Sequence, residues 1–231
     1  MILFYKNLKI KMISYSKPSR EMYDEGLMDV QELIAFCARV SNPSNQFNTQ
    51  TSEKLISYLV KHQHWSPLEM VSACLEIETT RDIARRILRH RSFSFQEFSQ
   101  RYAEVESIPS PPYLRRQDTK NRQNSIDDLD VRTKLYWQNE IDELYQKSQD
   151  VYQRMLKQGI AKECAREVLP IGSDTTLYMN GTIRSWVHYI ELRSANGTQK
   201  EHMEIAIACA EVIAQIFPIA KEASEGMFGL S

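Results

Sequence analysis

The stretch RHRSFSFQEFSQRY, residues 89–102, sets three Arg, one His, one Glu and four hydroxyl groups among three Phe. Upstream, Arg81, Arg85 and Arg89 fall at i, i+4 and i+8 with Arg86 beside them, while Ile83, Ala84, Ile87 and Leu88 supply an apolar side. That spacing predicts a helix with an arginine face. From 83 to 102 five Arg and one His meet a single acid, Glu97, so the charges lack internal partners. Planar guanidinium groups capture phosphate bidentately, where lysine offers only a point charge. Beyond Arg91 the helical pattern ends. Ser92, Ser94 and Gln96 alternate with Phe93 and Phe95, which predicts an extended segment with rings on one side and donors on the other. Phe93, Phe95 and Phe98 read as core anchors, and the donors as the lining of a pocket for a flat heteroaromatic phosphate ester. From these residues alone a solvated helix face and a nucleic-acid-binding module remain open.

These groups need a scaffold. KIKMISYSKP alternates as a strand ended by its Pro, and DVQELIAFCARVS repeats at helical spacing behind an Asp cap. TSEKLISYLVKHQ reads as a helix capped by Thr or Ser. In VSACLEIETT, Val71, Ala73, Leu75 and Ile77 share one face of a strand. Residues 104–127 are Pro-rich and aperiodic, a long loop or insertion. A long helix follows, with Trp137, Ile141, Leu144, Tyr145, Val151, Tyr152 and Met155 as its apolar stripe. KECAREVLP is a short helix, TTLYMNGT a strand, and IRSWVHYIELRS and QKEHMEIAIACAEVIAQIF are helices. Strands separated by helices, with no GxGxxG or GxxxxGK loop, predict an α+β fold in one domain spanning 1–231.

Composition narrows the function. A 231-residue chain that is 42% hydrophobic and 26% charged can bury a sizeable core. Its formal net charge of −1 makes any basic patch local and weighs against nucleic acid as partner. The N-terminal MILFYKNLKIKMISYS interleaves lysines with apolar residues, unlike a signal peptide. No stretch reaches the roughly 18 apolar residues of a membrane span, so a soluble cytoplasmic protein is expected. Cys37, Cys74, Cys164 and Cys209 stand singly and read as buried reduced thiols. His62 and His64 lack a third ligand at sensible spacing, so no metal is expected. His202 reads as structural. Ser99 has no Ser-His-Asp arrangement to activate it and reads as a binding group.

RHRSFSFQEFSQRY resembles the signature of the flavin-dependent thymidylate synthases (ThyX): Arg-His-Arg, seven residues, then Ser, with Glu and a closing Arg-Tyr in place. ARVS at 38–41, HWSPLE at 64–69, CAREVLP at 164–170 and IRSWVHYIELR at 183–193 with Gln199 resemble further segments of that family. The resemblance implies a ThyX-like fold, a central mostly antiparallel sheet packed by helices. It implies the reductive methylation of dUMP to dTMP, with 5,10-methylenetetrahydrofolate as carbon donor and FAD, reduced by NADPH, as hydride source. It also implies a homotetramer with shared sites.

Carried over by position, dUMP would be held by Arg86, Ile87, Leu88, Arg89, Glu97, Phe98, Ser99, Gln100, Arg101, Arg166 and Arg193. Of these, Arg193 would be catalytic, stabilising the uracil N3 anion. FAD would be held by Ser66, Arg89, His90, Arg91, Glu97, Thr182, Ile183, Arg184 and His188, with Ser41, His64 and Glu69 near the flavin. The chain departs from the family's commoner residues at Gln96, Arg86, Thr182 and His188. At about 100° per residue, Arg184 and His188 lie about 40° apart on a helix and Arg193 about 180° from Arg184. That geometry agrees with two different ligands.

Overall fold

A computed structural model describes residues 9–226; the first half of the Lys-interleaved N-terminal stretch lies outside them. Strand β1 (Lys9–Tyr15) is followed by α1 (Arg20–Asp24), which Ser19 caps, and by α2 (Val30–Ala38), where the Asp29 side chain accepts from Glu32 N–H as its spacing predicted. Helix α3 (Ser52–Lys61) has Thr51 at its N-cap position, but that hydroxyl makes no cap bond. It accepts from Arg39, which is buried and also donates to Asn48 O, so Arg39 ties the α2–α3 connection together.

Strand β2 (Ser72–Thr80) buries Ala73, Leu75, Ile77 and Thr79 on one face, and α4 (Arg81–Ile87) starts where it ends. Next come β3 (Ser94–Glu97), the two-residue strands β4 (Arg116–Gln117) and β5 (Ser125–Ile126), the long α5 (Val131–Lys157) and α6 (Lys162–Ala165). Strand β6 (Asp174–Thr182) runs into α7 (Ile183–Ser194), followed by α8 (Lys200–Ile213) and α9 (Ala220–Ser224). The main sheet has the order β1-β2-β6-β3. Ile183 N–H donates to Val71 O at one end of the β2/β6 pair and Arg81 N–H to Ser173 O at the other, an antiparallel register. The α+β class with an antiparallel sheet is therefore as the sequence predicts.

By contacts the described chain divides into two compact units. One comprises Glu78–Arg89 and Gln96–Leu177; the other comprises Lys9–Ile77, His90–Phe95 and 178–226. In the first, α5 packs on α6 and the turn after it around Tyr152, Val105 and Ala165. Tyr152 OH accepts from Val105 N–H at 3.2 Å and Gln149 donates to Val105 O at 2.8 Å, so one buried backbone residue is satisfied at both ends. In the second, α7, α8 and α9 pack together around Trp186, Tyr189, Ile190, Ile205 and Phe217, and Trp186 N–H donates to Ala73 O.

Several expectations need correction. The arginine helix ends at Ile87 with Leu88 as its C-cap, so Leu88 and Arg89 lie beyond it. At its end the bonding tightens, Arg89 N–H donating to Arg86 O three residues back, as helix termini commonly do. Beyond that turn Phe93 seats against Gly181, where a Cβ would lie 2.4 Å from its ring, so the ring occupies space that only glycine leaves open. Phe93 and Phe95 are half-buried, but Phe98 is exposed and is no core anchor. The stripe of α5 is covered for most of its length: Tyr152 is buried and Ile141, Tyr145, Val151 and Met155 are half-buried, while Trp137 and Leu144 are exposed. Of the cysteines only Cys209 is buried; Cys37 and Cys74 are half-buried and Cys164 is exposed. Residues 104–127 are not structureless, because β4 and β5 pair antiparallel, Arg116 with Ile126 and Gln117 with Ser125. Among the described residues no helix is long and apolar enough to cross a membrane.

Candidate functional site

In the first unit, α4 turns Ile83, Ala84 and Ile87 inward, which forces Arg85 and Arg86 outward. Arg89, in the turn after the helix, is also exposed. Among the described residues Arg85, Arg86 and Arg89 make no side-chain hydrogen bond or ion pair. Arg81 behaves differently. Its guanidinium lies 3.6 Å from Glu97 Oε1, and Thr175 Oγ1 donates to the same oxygen at 3.1 Å. Both of these partners converge on Oε1.

The chain then turns at Ser99, whose carbonyl accepts from Tyr102 and Ala103 N–H. Ser99 is exposed and its hydroxyl has no base bonded to it, consistent with a binding group rather than a nucleophile. Gln100 is buried, with its Nε2 lacking a partner. Arg101, predicted to lack a counter-ion, pairs with Glu163 at 3.1 Å. Arg166 is half-buried, with only the adjacent Glu167 at 4.0 Å. Ile87 is fully buried.

In the second unit, α7 carries most of the predicted flavin residues. Thr182 caps it, accepting from Ser185 N–H, so its hydroxyl is partly spent on the helix. Ile183 is fully buried. Arg184 pairs with Glu69 and stands one turn from His188. The His188 ring meets Trp65 edge-on at 4.8 Å, and its buried Nε2 has no partner. Burial, and then the Arg184 charge, lower the His188 pKa. Ser66 and Arg91 are exposed, and Arg91 makes no ion pair among the described residues.

Arg193 projects from the other side of α7, as the helical angles predict, and its Nε–H donates to His90 Nε2 at 2.9 Å. The His90 ring packs edge-on against Tyr189 at 4.9 Å. Burial and the Arg193 charge lower the His90 pKa to about 4. Tyr189 OH in turn bonds His202 Nε2 at 3.1 Å, which makes His202 structural as expected.

Residues 26–219 match the family model described as thymidylate synthase complementing protein. The chain belongs to the flavin-dependent thymidylate synthase family. It is 51% identical over 215 residues to a probable flavin-dependent thymidylate synthase of Paramecium bursaria Chlorella virus 1, covering 93% of this chain and 98% of that protein. It is 46% identical over 221 residues to a flavin-dependent thymidylate synthase of Synechocystis sp., covering 94% and 100%. The fold resembles crystal structures of a UMP/dUMP methylase from Streptomyces cacaoi. With 5-Br UMP bound, the TM-score is 0.78 at 24% identity and 96% coverage of each chain. With 5-Br dUMP bound, it is 0.75 at 25% identity and 94% coverage of each.

The family's signature segment is thus readable here in atomic terms, including partners that sequence reasoning missed. Arg81 and Thr175 hold Glu97, and Tyr189 backs His90. Arg81 was visible as part of the arginine face, but nothing in its spacing pairs it with Glu97. Among the described residues no three His, Cys, Asp or Glu cluster as a metal site would require.

Proposed function

We propose that this chain is a flavin-dependent thymidylate synthase, with the whole chain as its catalytic domain. It would convert dUMP to dTMP with 5,10-methylenetetrahydrofolate as carbon donor and NADPH as reductant, in a homotetramer whose sites are shared between subunits. The observation that carries this reading is the set of guanidinium groups at Arg85, Arg86, Arg89 and Arg91 that have no counter-ion among the described residues. In a chain of net charge −1 such groups call for an anionic ligand.

Arg86, Arg89 and Arg166 would take the phosphate of dUMP. The backbone of Ile87 and Leu88, together with Phe98, Ser99, Gln100 and Arg101, would line the nucleotide, and Glu97 Oε2 would accept from it. The terminal nitrogens of Arg193 would meet the uracil, stabilising the N3 anion and raising electron density on the ring.

For FAD, the unbonded, buried Nε2 of His188 and the unpaired Arg91 fit a large, polar, anionic ligand. Ser66, Arg89, His90, Arg91, Glu97, Thr182, Ile183, Arg184 and His188 would hold it. When bound, FAD supplies the hydride. Burial raises the Cys37, Cys74 and Cys209 thiols, so they are poorly suited to the thiolate attack used by the Cys-dependent thymidylate synthase.

The test is a visible spectrum of the purified protein with added FAD, then tritium release from C5-labelled dUMP in the presence of methylenetetrahydrofolate and NADPH. Bound flavin and release dependent on both co-substrates are expected. Failure to bind flavin would overturn the assignment.

A further inference from the structure

The Arg193–His90 hydrogen bond constrains both partners chemically. Nε of arginine can only donate, so the Nε2 of His90 that faces it must carry a lone pair, and the ring is the neutral Nδ1–H tautomer. Arg193 makes no other side-chain bond among the described residues, so both terminal nitrogens keep their donors. An arginine whose Nε is tied can still present its outer edge, two parallel N–H groups, to a planar acceptor pair. The tie holds that edge in one orientation. His90 is itself held, packed edge-on against Tyr189 at 4.9 Å, and the Tyr189 hydroxyl is fixed by His202 at 3.1 Å. The groups facing the imidazole are therefore Arg193 and Tyr189 from α7 and His202 from α8, whose ring centre lies 6.4 Å away. Arg193 is the cation among these three, and Tyr189 remains a neutral phenol because burial raises its pKa well above the usual value.

We propose that His90 is a positioning residue for Arg193: its unprotonated Nε2 fixes the guanidinium so that the outer edge is aimed at the pyrimidine of the substrate. The proposal rests on the reading of Arg193 as the group that meets uracil. It gives the His of the Arg-His-Arg signature a task on the nucleotide, acting through another side chain, in addition to any contact with flavin. A cationic imidazole could not accept this bond, so the device works only with neutral His90.

The test is a double-variant cycle on dUMP affinity, measured by calorimetry with the full chain in saturating FAD. His90→Leu, which removes the acceptor, should weaken dUMP about tenfold, the scale of one hydrogen bond to a charged group. Arg193→Ala should weaken it about 100-fold, and the double variant no further, because His90 then has nothing to position. His90→Gln, which restores an acceptor oxygen, should return affinity to within about threefold of the parent. Losses that add in the double variant, or His90→Gln no better than His90→Leu, overturn the proposal. Should His90→Leu not fold, ¹⁵N-histidine spectra of the parent chain decide it. The Nδ1–H tautomer at His90 supports the proposal and an Nε2–H signal overturns it. A parent chain that binds no dUMP overturns the functional reading and the proposal together, whereas tight parent binding with additive losses overturns the proposal alone.

Discussion

Two arginine-rich stretches of the first unit have similar composition and opposite fates. In the insertion, Arg116 forms two-pronged contacts with Asp128, the closest at 2.6 Å, and Arg115 donates to Ser125. Asp118 accepts from Lys120 and Asn121 N–H and from the Asn124 side chain, and those bonds hold its carboxyl below the usual range. In that stretch Arg116 finds its acid, and the bonds of Arg116, Arg115 and Asp118 lie within the segment that carries the small hairpin. On α4 and in the turn after it, Arg85, Arg86 and Arg89 find no acid, while the nearby Glu97 is already engaged by Arg81 and Thr175. Charge density is therefore a poor guide to function. What separates the two sets of arginines is whether the fold supplies a counter-ion, and on the proposed function that is what separates a structural from a binding arginine.

The comparison can be tested from the strongest effect downward. Arg193→Ala should lower kcat for tritium release by about 10²–10³-fold, the usual cost of removing one donor to developing negative charge. Arg86→Ala and Arg89→Ala should each raise the KM for dUMP by roughly 10- to 100-fold, through loss of a charge-assisted contact. Arg116→Ala should leave that KM within about twofold, since an exposed ion pair contributes little beyond its own locality. Equal effects of Arg116→Ala and Arg86→Ala on KM would erase the distinction drawn above.

Two stability measurements sharpen the structural side. Gly181→Ala should cost roughly 1–3 kcal/mol in chemical denaturation, through overpacking against Phe93. Tyr152→Phe should cost about 1–2 kcal/mol, because the buried Val105 N–H loses its acceptor. The smallest effect is on pH dependence. Folded His90 titrates near pH 4, below its ordinary 6.5. On acidification the unfolded chain takes up this proton first. The contribution of neutral His90 is therefore present above about pH 6.5 and lost as pH falls toward about 4. The denaturation midpoint should drop more steeply over that range in the parent than in His90→Gln.

Much of this architecture was legible because burial follows periodicity. Ala73, Leu75 and Ile77 alternate in sequence and alternate in β2, and the Asp29 cap and the opposed faces of α7 are local geometry. The limits were equally physical. The helix over residues 81–91 reads as continuous because its own residues favour it. It stops at Ile87, and past the turn the Phe93 ring seats against Gly181, a long-range packing that no local pattern encodes. The hairpin at 116–126 escaped notice because its strands are two residues each and its organisers are side-chain bonds from Asp118, Gln117 and Arg116. The stripe of α5 follows its period, with Ile141, Tyr145, Val151, Tyr152 and Met155 at least half-buried, but apolar spacing does not say how far along the helix the partner surface runs, and Trp137 and Leu144 are exposed. In the site, residue types were readable while pairings such as Arg81 with Glu97, or His90 with Arg193, arise only when remote segments meet.

The seat of Phe93 on Gly181 has a consequence for how such a chain can change over time. The two positions share a fixed volume, so position 181 cannot grow while Phe93 is in place. A larger residue at 181 becomes tolerable only after 93 has shrunk, as in Phe93→Leu followed by Gly181→Ala, and the reverse order passes through a clash. Substitution at the heart of the signature is thus ordered in time by a missing side chain on another strand.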